Sequence, residues 1–236
     1  MATITVNATQ EGYLMGTGNT SFADARTSGG EAASAFANPT SANAESIEFS
    51  KIPGGRGTSY FFRRSAFGFD VTDYSGDTIT NAYLQIRTTT SGTNLANTLY
   101  MVPFSGFGGT LGDSLEVGDW ANYTLGTSWG SDTSITNTAT TQTITLNSTG
   151  IAAFTTGYVK IGLISNVDYQ NSEPAGAEVI DDTWLNWGYS DNARLIFDQE
   201  AEEGYANIVN AVEAASIGSI NAVPAANITN VIGVTD

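Results

Sequence analysis

Residues 64–71 read Arg-Ser-Ala-Phe-Gly-Phe-Asp-Val, and residues 79–86 read Ile-Thr-Asn-Ala-Tyr-Leu-Gln-Ile. In the second stretch Ala82, Leu84 and Ile86 alternate with polar residues, so one face of a strand can be buried while the other meets water or a neighbour. The polar, glycine-containing segment between the two stretches ends the first strand. This pattern predicts two long strands of an antiparallel sandwich rather than a βαβ unit.

Further strand signals occur on both sides of this pair. They cover residues 2–7, 45–52, 58–71, 79–88, 97–104, 142–146, 158–165 and 195–197. We expect about nine strands, which favours an all-β, antiparallel β-sandwich of jelly-roll type over residues 1–198.

Four connections in this domain carry specific predictions. Residues 16–44, rich in small and polar side chains, are predicted to be loop, and residues 53–57 to be a hairpin turn. Residues 105–140 contain too many aromatic side chains for a linker, and an ordered loop across the sandwich is expected. A short helical turn is expected after residue 147, capped by Asn147 or Ser148.

Residues 199–236 differ from the domain and are predicted to form a short amphipathic helix followed by an extended repeat tail. The segments 215–223 and 226–234 resemble each other with a period of eleven residues. Units this short cannot bury their own apolar face, so they pack on the domain, on each other or on another chain. We favour subunit contacts, with a flexible tail as the alternative. The predicted contact residues are Ile208, Val212, Ile217, Ile220, Val223, Ile228, Val231 and Val234.

The composition excludes several classes of function. The net charge is −16, with only eight lysines and arginines, so nucleic acid and anionic membranes are poor partners. Histidine and cysteine are absent, which removes Ser-His-Asp and Cys-His catalysis, ordinary zinc sites and disulfides. We therefore expect a protein that is not an enzyme, with no catalytic residues and no cofactor other than a possible calcium ion.

The amino terminus has neither a basic segment nor an apolar segment of the kind found in signal peptides. A charged-residue content of only 14% and abundant Thr, Ser, Asn and Gly nevertheless match extracellular β proteins. A virion component, made in a host cytoplasm and working outside cells, reconciles the two observations. A removed leader is the alternative.

Aromatic residues near the end of the domain form the candidate binding site. Trp184, Trp187 and Tyr189, with Trp120 and Trp129, can form a platform for sugar rings or contact a partner, and core packing is the alternative for each. The neighbouring acids Asp181 and Asp182 are candidates for a carboxylate pair or calcium ligands, although adjacent strand residues seldom flank a glycosidic bond, and solvated loop acids are the alternative.

The remaining candidates are a set of oxygen-bearing side chains that could bind calcium and two adjacent arginines. The side chains of Asp168, Asn171, Glu173 and Asp191 are possible calcium ligands, but they lack EF-hand spacing. Arg63 and Arg64 must leave opposite faces of one strand. One of them therefore needs a partner, for which Asp70, Asp73 or a neighbouring subunit is expected.

The run from residue 63 to 86 resembles the DNRLRE-type, or disaggregatase-related, domain. The matching positions are Arg64, Phe69, Asp70, Ile79, Ala82 and Leu84, and later segments at 144–151 and 160–163 fall where that family has further blocks. The resemblance covers about residues 12–198 and implies a jelly roll of secreted and surface proteins, often near polysaccharide. It implies no catalytic residues, and the long loop at 105–140 departs from it.

The segment 217–228 is similar to short repeats that end many bacteriophage virion proteins, particularly marine ones. We therefore expect a non-enzymatic virion structural protein exposed on the particle as a capsid-decoration, cement or head-fibre protein. Its expected partners are other capsid or tail proteins and its own copies, as a trimer. The alternative is a carbohydrate-binding adhesin or receptor-binding tail-fibre module.

Overall fold

The computed structural model describes residues 2–19, 21–27, 34–37, 45–54, 57–88, 98–132, 140–175, 179–185, 193–200, 219–220 and 223–224. The strands are β1 (Ala2–Asn7), β2 (Gln10–Asn19), β3 (Ser34–Ala37), β4 (Glu45–Gly54), β5 (Gly57–Asp70), β6 (Ile79–Thr88), β7 (Leu99–Pro103), β8 (Gly130–Asp132), β9 (Thr140–Thr145), β10 (Tyr158–Ser165), β11 (Val179–Leu185), β12 (Arg194–Gln199), β13 (Ser219–Ile220) and β14 (Val223–Pro224). The α-helices are α1 (Phe22–Thr27), α2 (Ser148–Ile151) and α3 (Asn166–Gln170), and 3₁₀-helices span Thr72–Tyr74, Val117–Asn122 and Ala152–Thr156.

The described part of the chain is mostly β-structure, as predicted, and its strand pairs are antiparallel. The smaller main sheet has the order β1-β12-β6-β9. The larger sheet has the order β11-β4-β5-β10-β7-β8, and β2, itself paired with β3, also joins β5. Because residues 60–68 of β5 pair with β2, the strands β4 and β10 must share its other edge, β4 along the first half and β10 along the second.

The two predicted long strands lie in different sheets. Phe67 and Phe69 of β5 and Leu84 and Ile86 of β6 are nevertheless buried in one apolar cluster, together with residues of β7, β9, β10 and β12. The connection that contains the 3₁₀-helix Thr72–Tyr74 thus carries the chain from one sheet to the other. A shared core between two antiparallel sheets is a β-sandwich-like arrangement.

The opposite face of the larger sheet is also covered. A second apolar cluster joins Phe49 of β4 and Phe62 of β5 to Phe22 of α1 and to the segment between β7 and β8. That segment supplies six of the buried aliphatic and aromatic residues: Phe104, Phe107, Leu111, Leu115, Trp120 and Tyr123. The prediction of an ordered loop across the sheet is therefore confirmed for residues 105–129, whereas residues 130–132 form β8.

The prediction that residues 16–44 are loop was wrong for the parts that the structure describes. The strand β2 continues to Asn19, helix α1 follows, and β3 pairs with β2. Over residues 10–16, where the burial of β2 is described, Gly12, Leu14 and Gly16 are the buried positions, and two of the three have no side chain, so the alternation carries little apolar signal. In α1, Phe22 and Ala25 are buried at a spacing of three, which one helical turn explains.

Several local predictions were confirmed. The turn at residues 53–57 joins β4 to β5, with Gly54 opposite Gly57. The carboxamide oxygen of Asn147 accepts hydrogen bonds from the backbone amides of Thr149 and Gly150, so it is the cap of α2.

In the tail, β13 and β14 form a two-stranded antiparallel ladder in which Ile220 pairs with Val223. Residues 221–222 connect the two strands. The predicted amphipathic helix over about 200–212 and the second repeat at 226–234 lie outside the described residues. The domain boundary at residue 198 stays a prediction.

Candidate functional site

Arg64, in the middle of β5, and Asp168 are the two most deeply buried charged groups in the described residues. Nε of Arg64 donates to Oδ2 of Asp168 at 2.6 Å and its Nη2 to Oδ1 at 3.0 Å, and both side chains are 1% exposed. This two-point geometry is what an arginine fork offers a carboxylate. The pair joins β5 to α3.

The same guanidinium also donates hydrogen bonds to two other segments that cover this face of the larger sheet. Nη2 donates to the carbonyl of Arg26 at 2.6 Å, at the end of α1, and Nη1 donates to the carbonyl of Trp120 at 3.1 Å. The Arg64 guanidinium carbon lies 4.0 Å from the centre of the Trp120 ring, which is a cation–π contact. Arg64 therefore connects α1, α3 and the 3₁₀-helix Val117–Asn122 beneath the second apolar cluster, and its role is structural.

The prediction that the two arginines leave opposite faces was confirmed. Arg63 donates from Nε to the sulfur of Met15 at 3.2 Å and lies 6.0 Å from the Tyr13 ring centre, away from the Arg64 cluster. The expected partners Asp70 and Asp73 were wrong, because Asp168 fills that role and Asp70 instead accepts from the backbone amide of Thr72.

The proposed calcium ligands have other contacts where they are described. Asp168 contacts Arg64 and also lies 3.2 Å from Nε of Arg26. Glu173 accepts from Nζ of Lys51 and from the hydroxyl of Tyr60, both at 2.6 Å, and these hydrogen bonds lower its pKa. Asn171 follows α3 in the left-handed conformation, and Asp191 lies outside the described residues. Among the described residues no cluster of three or more acidic side chains is placed to hold a metal ion.

A groove of about 490 Å³ lies where β7 ends. It is lined by Pro103, Phe104, Ser105, Gly109, Trp129, Thr149, Ala153, Thr156, Tyr158 and Lys160. These residues come from the end of β7, the loop after it, the start of β10 and the turn formed by α2 and the 3₁₀-helix Ala152–Thr156. We call this site the β7-end groove.

Lys160 supplies the cationic group of the β7-end groove. Its ammonium donates to the carbonyl of Gly106 at 3.0 Å and to that of Gly108. Burial lowers the pKa of this ammonium, and the nearby carboxylates of Asp119 and Asp113 oppose that shift. Gly108 has φ of +68°, and a Cβ there would overlap the Asp113 carboxylate, so the loop needs glycine at this point.

Hydrogen bonds also fix the wall formed by α2 and the start of β10. The hydroxyl of Thr156 lies 2.8 Å from the carbonyl of Ala153 and 2.9 Å from that of Tyr158. On the other side, the carboxamide of Asn147 donates to the carbonyl of Ser128 at 2.7 Å, next to Trp129. Side chain-to-backbone hydrogen bonds therefore tie together the segments on both sides of the groove.

The predicted aromatic platform is not brought together in the described residues. Trp120 is buried against Arg64 and donates from Nε1 to the carbonyl of Arg26 at 3.3 Å, so it is a core residue. Trp129 is 9% exposed and lines the β7-end groove. The backbone of Trp184 pairs with Ser46 in the β11–β4 ladder, and Trp187 and Tyr189 lie outside the described residues.

Of the predicted subunit contacts, only Ile220 and Val223 are described, as a paired position of the β13–β14 ladder. The other six, Ile208, Val212, Ile217, Ile228, Val231 and Val234, lie outside the described residues. The neighbouring acids Asp181 and Asp182 lie on β11, where they pair with Phe49 and Glu48 of β4.

The residues of the β7-end groove escaped the sequence reasoning, apart from Trp129. They come from segments around residues 103–109, 129 and 149–160, so no local spacing links them. The one available signal was Lys160, one of only two lysines in the chain, placed at an alternating position of an otherwise apolar strand.

Comparisons with known proteins add no assignment. No known protein family matches the chain, and no curated protein matches it either. In the described part of the chain, no helix has both the length and the apolar character needed to cross a membrane.

Proposed function

We propose that this chain is a non-enzymatic structural protein of a bacteriophage virion, exposed on the particle as a decoration, cement or head-fibre protein. In this proposal residues 1–198 are a jelly roll of the DNRLRE type. Residues 199–236 make contacts between subunits of a trimer and with other virion proteins.

The observation that carries the proposal is the ladder of β13 and β14. Two residues on each side pair across a two-residue connection, and a similar segment follows eleven residues later, with Val231 and Val234 at the positions of Ile220 and Val223. A two-stranded unit of this size is not stable alone in water and needs a surface to pack on. Repeated Ile and Val positions suit contacts among identical tails around a symmetry axis.

A second observation supports a structural role rather than catalysis. Two of the acidic residues that were candidate ligands have side chains that the structure describes, and both form salt bridges within the chain. Asp168 pairs with Arg64, and Glu173 pairs with Lys51. Such pairs hold surface elements onto the larger sheet.

Deletion of residues 204–236 tests the proposal. The shortened chain should keep the circular dichroism and melting behaviour of the domain but fail to attach to phage particles that lack the native protein. As a matched control, four substitutions to Ser on the exposed side of the domain should leave attachment intact. Attachment of the shortened chain at the full-length level would contradict the proposal.

A carbohydrate-binding adhesin or receptor-binding module is the second candidate function. The observation in its favour is the β7-end groove, which combines aromatic and hydroxyl-bearing side chains. The segment of Trp184, Trp187 and Tyr189 is the other proposed glycan contact. Binding on an array of bacterial polysaccharides that vanishes in Trp187→Ala would place the site in that segment.

A further inference from the structure

We propose that the β7-end groove binds a short, uncharged saccharide. This inference deepens the second candidate function and is independent of the assembly role of the tail. The volume of the β7-end groove, about 490 Å³, falls within the range of small-molecule sites in proteins.

The floor of the groove is apolar. Pro103, Phe104 and Ala153 line it, together with Trp129, which is 9% exposed. Tyr158 is half-buried and stands at the first position of β10, so part of its ring is open to a ligand. A sugar ring has an apolar C–H face that packs on such surfaces, and the tyrosine ring carries a hydroxyl at its solvent-facing end that can form a hydrogen bond.

The rim offers hydrogen bonds for hydroxyl groups. Thr149 is exposed on α2, and Ser105 is exposed on the loop after β7. The Ser105 hydroxyl lies 3.3 Å from the carbonyl of Asn122, which leaves its lone pairs to accept from a ligand. The Lys160 ammonium has three N–H donors and two carbonyl partners, so one donor remains for a ligand oxygen.

The charge balance favours an uncharged ligand. The positive charge of Lys160 is already opposed by Asp113 and Asp119, which act on its pKa, and by two carbonyl dipoles. The whole chain carries −16, so a carboxylated or sulfated sugar would approach against a repulsive field. A neutral hydroxyl-rich ligand meets no such barrier and can use the remaining donor.

The test is isothermal titration of the full-length protein with neutral trisaccharides built from glucose, mannose, xylose or galactose, and with trigalacturonic acid as the charged probe. We expect binding of at least one neutral trisaccharide. Tyr158→Ala should weaken it about tenfold, because the ring contact is lost, whereas Tyr158→Phe should stay within about threefold of the wild type. Tyr83→Ala, which removes a half-buried tyrosine from the smaller sheet, is the matched control and should not change binding.

A second variant guards against loss of fold. Thr149→Trp adds bulk at an exposed position of the rim and should block binding while the protein melts as the wild type does. No binding of any neutral trisaccharide, or binding of trigalacturonic acid alone, would overturn the inference. Glycan binding that survives Tyr158→Ala and Thr149→Trp but vanishes in Trp187→Ala would overturn the groove and leave the second candidate function standing.

Discussion

Replacement of Arg64 by methionine is expected to destabilise the domain strongly. The substitution keeps an unbranched chain that reaches about as far as Nε, but it removes the guanidinium and leaves the Asp168 carboxylate, 1% exposed, without its two-point partner. Removing one member of a buried pair costs about 3–5 kcal/mol, because an uncompensated charge stays in the interior. Nε of Arg26 remains 3.2 Å from Asp168, so we expect the lower end, about 3 kcal/mol.

A double-mutant cycle separates the free energy of the Arg64–Asp168 charge pair from the effect of lost packing. Arg64→Met combined with Asp168→Leu removes both charges, so it should cost less than the sum of the two single changes, with a coupling of about 1–3 kcal/mol. Arg63→Met is the matched control, since this neighbouring arginine is half-buried on the other face. Its cost should be clearly smaller than that of Arg64→Met.

Urea unfolding followed by tryptophan fluorescence measures these free energies, and Trp120 stacks directly on Arg64, which makes it a local reporter. Equal costs for Arg63→Met and Arg64→Met, or a cost below about 1 kcal/mol for Arg64→Met, would refute the reasoning that this pair fastens the covering elements to the sheet.

Three further changes test local features. Gly130→Ala should destabilise the protein, since φ there is +155° and an added Cβ would overlap the carbonyl of Thr145; wild-type melting would contradict the close approach. Asn147→Ala should cost about 1 kcal/mol in urea unfolding by loss of the helix cap, and no change would show that the cap is dispensable. Burial raises the pKa of Glu11, so its favourable contribution is present below the pKa of the unfolded carboxyl and is lost as pH rises through the folded pKa. Glu11→Gln keeps an acceptor for the amide of Ala193 but carries no charge. The difference in stability between this variant and the wild type should therefore shift in favour of the variant on going from pH 4 to pH 7. A difference that does not depend on pH would contradict the burial argument.

Strand identity could be predicted from the sequence where alternation was complete. In β6 the residues Ala82, Leu84 and Ile86 are all buried, as their spacing indicated. The partner of each strand could not be predicted, because a period of two fixes the face of a residue and not its neighbour. The assignment of β5 and β6 to different sheets therefore required the structure.

The candidate site was less predictable than the fold. The pattern showed that one of Arg63 and Arg64 needed a partner, but Asp168, which pairs with Arg64, lies 104 residues away, and local spacing favoured nearer acids. The prediction of an aromatic platform rested on residue type. Residue type alone does not distinguish Trp120, which lies in the core, from Trp129, which lines the β7-end groove. The missing element in each case was long-range contact.

The proposed role of the tail predicts a specific mass in solution. Light scattering on the purified full-length chain and on a chain that ends at Asp198 measures this mass without any assumption about shape. A full-length trimer together with a folded monomer of the shorter chain is the result we predict. The same oligomeric state for both chains would contradict the proposal that residues after 198 hold subunits together.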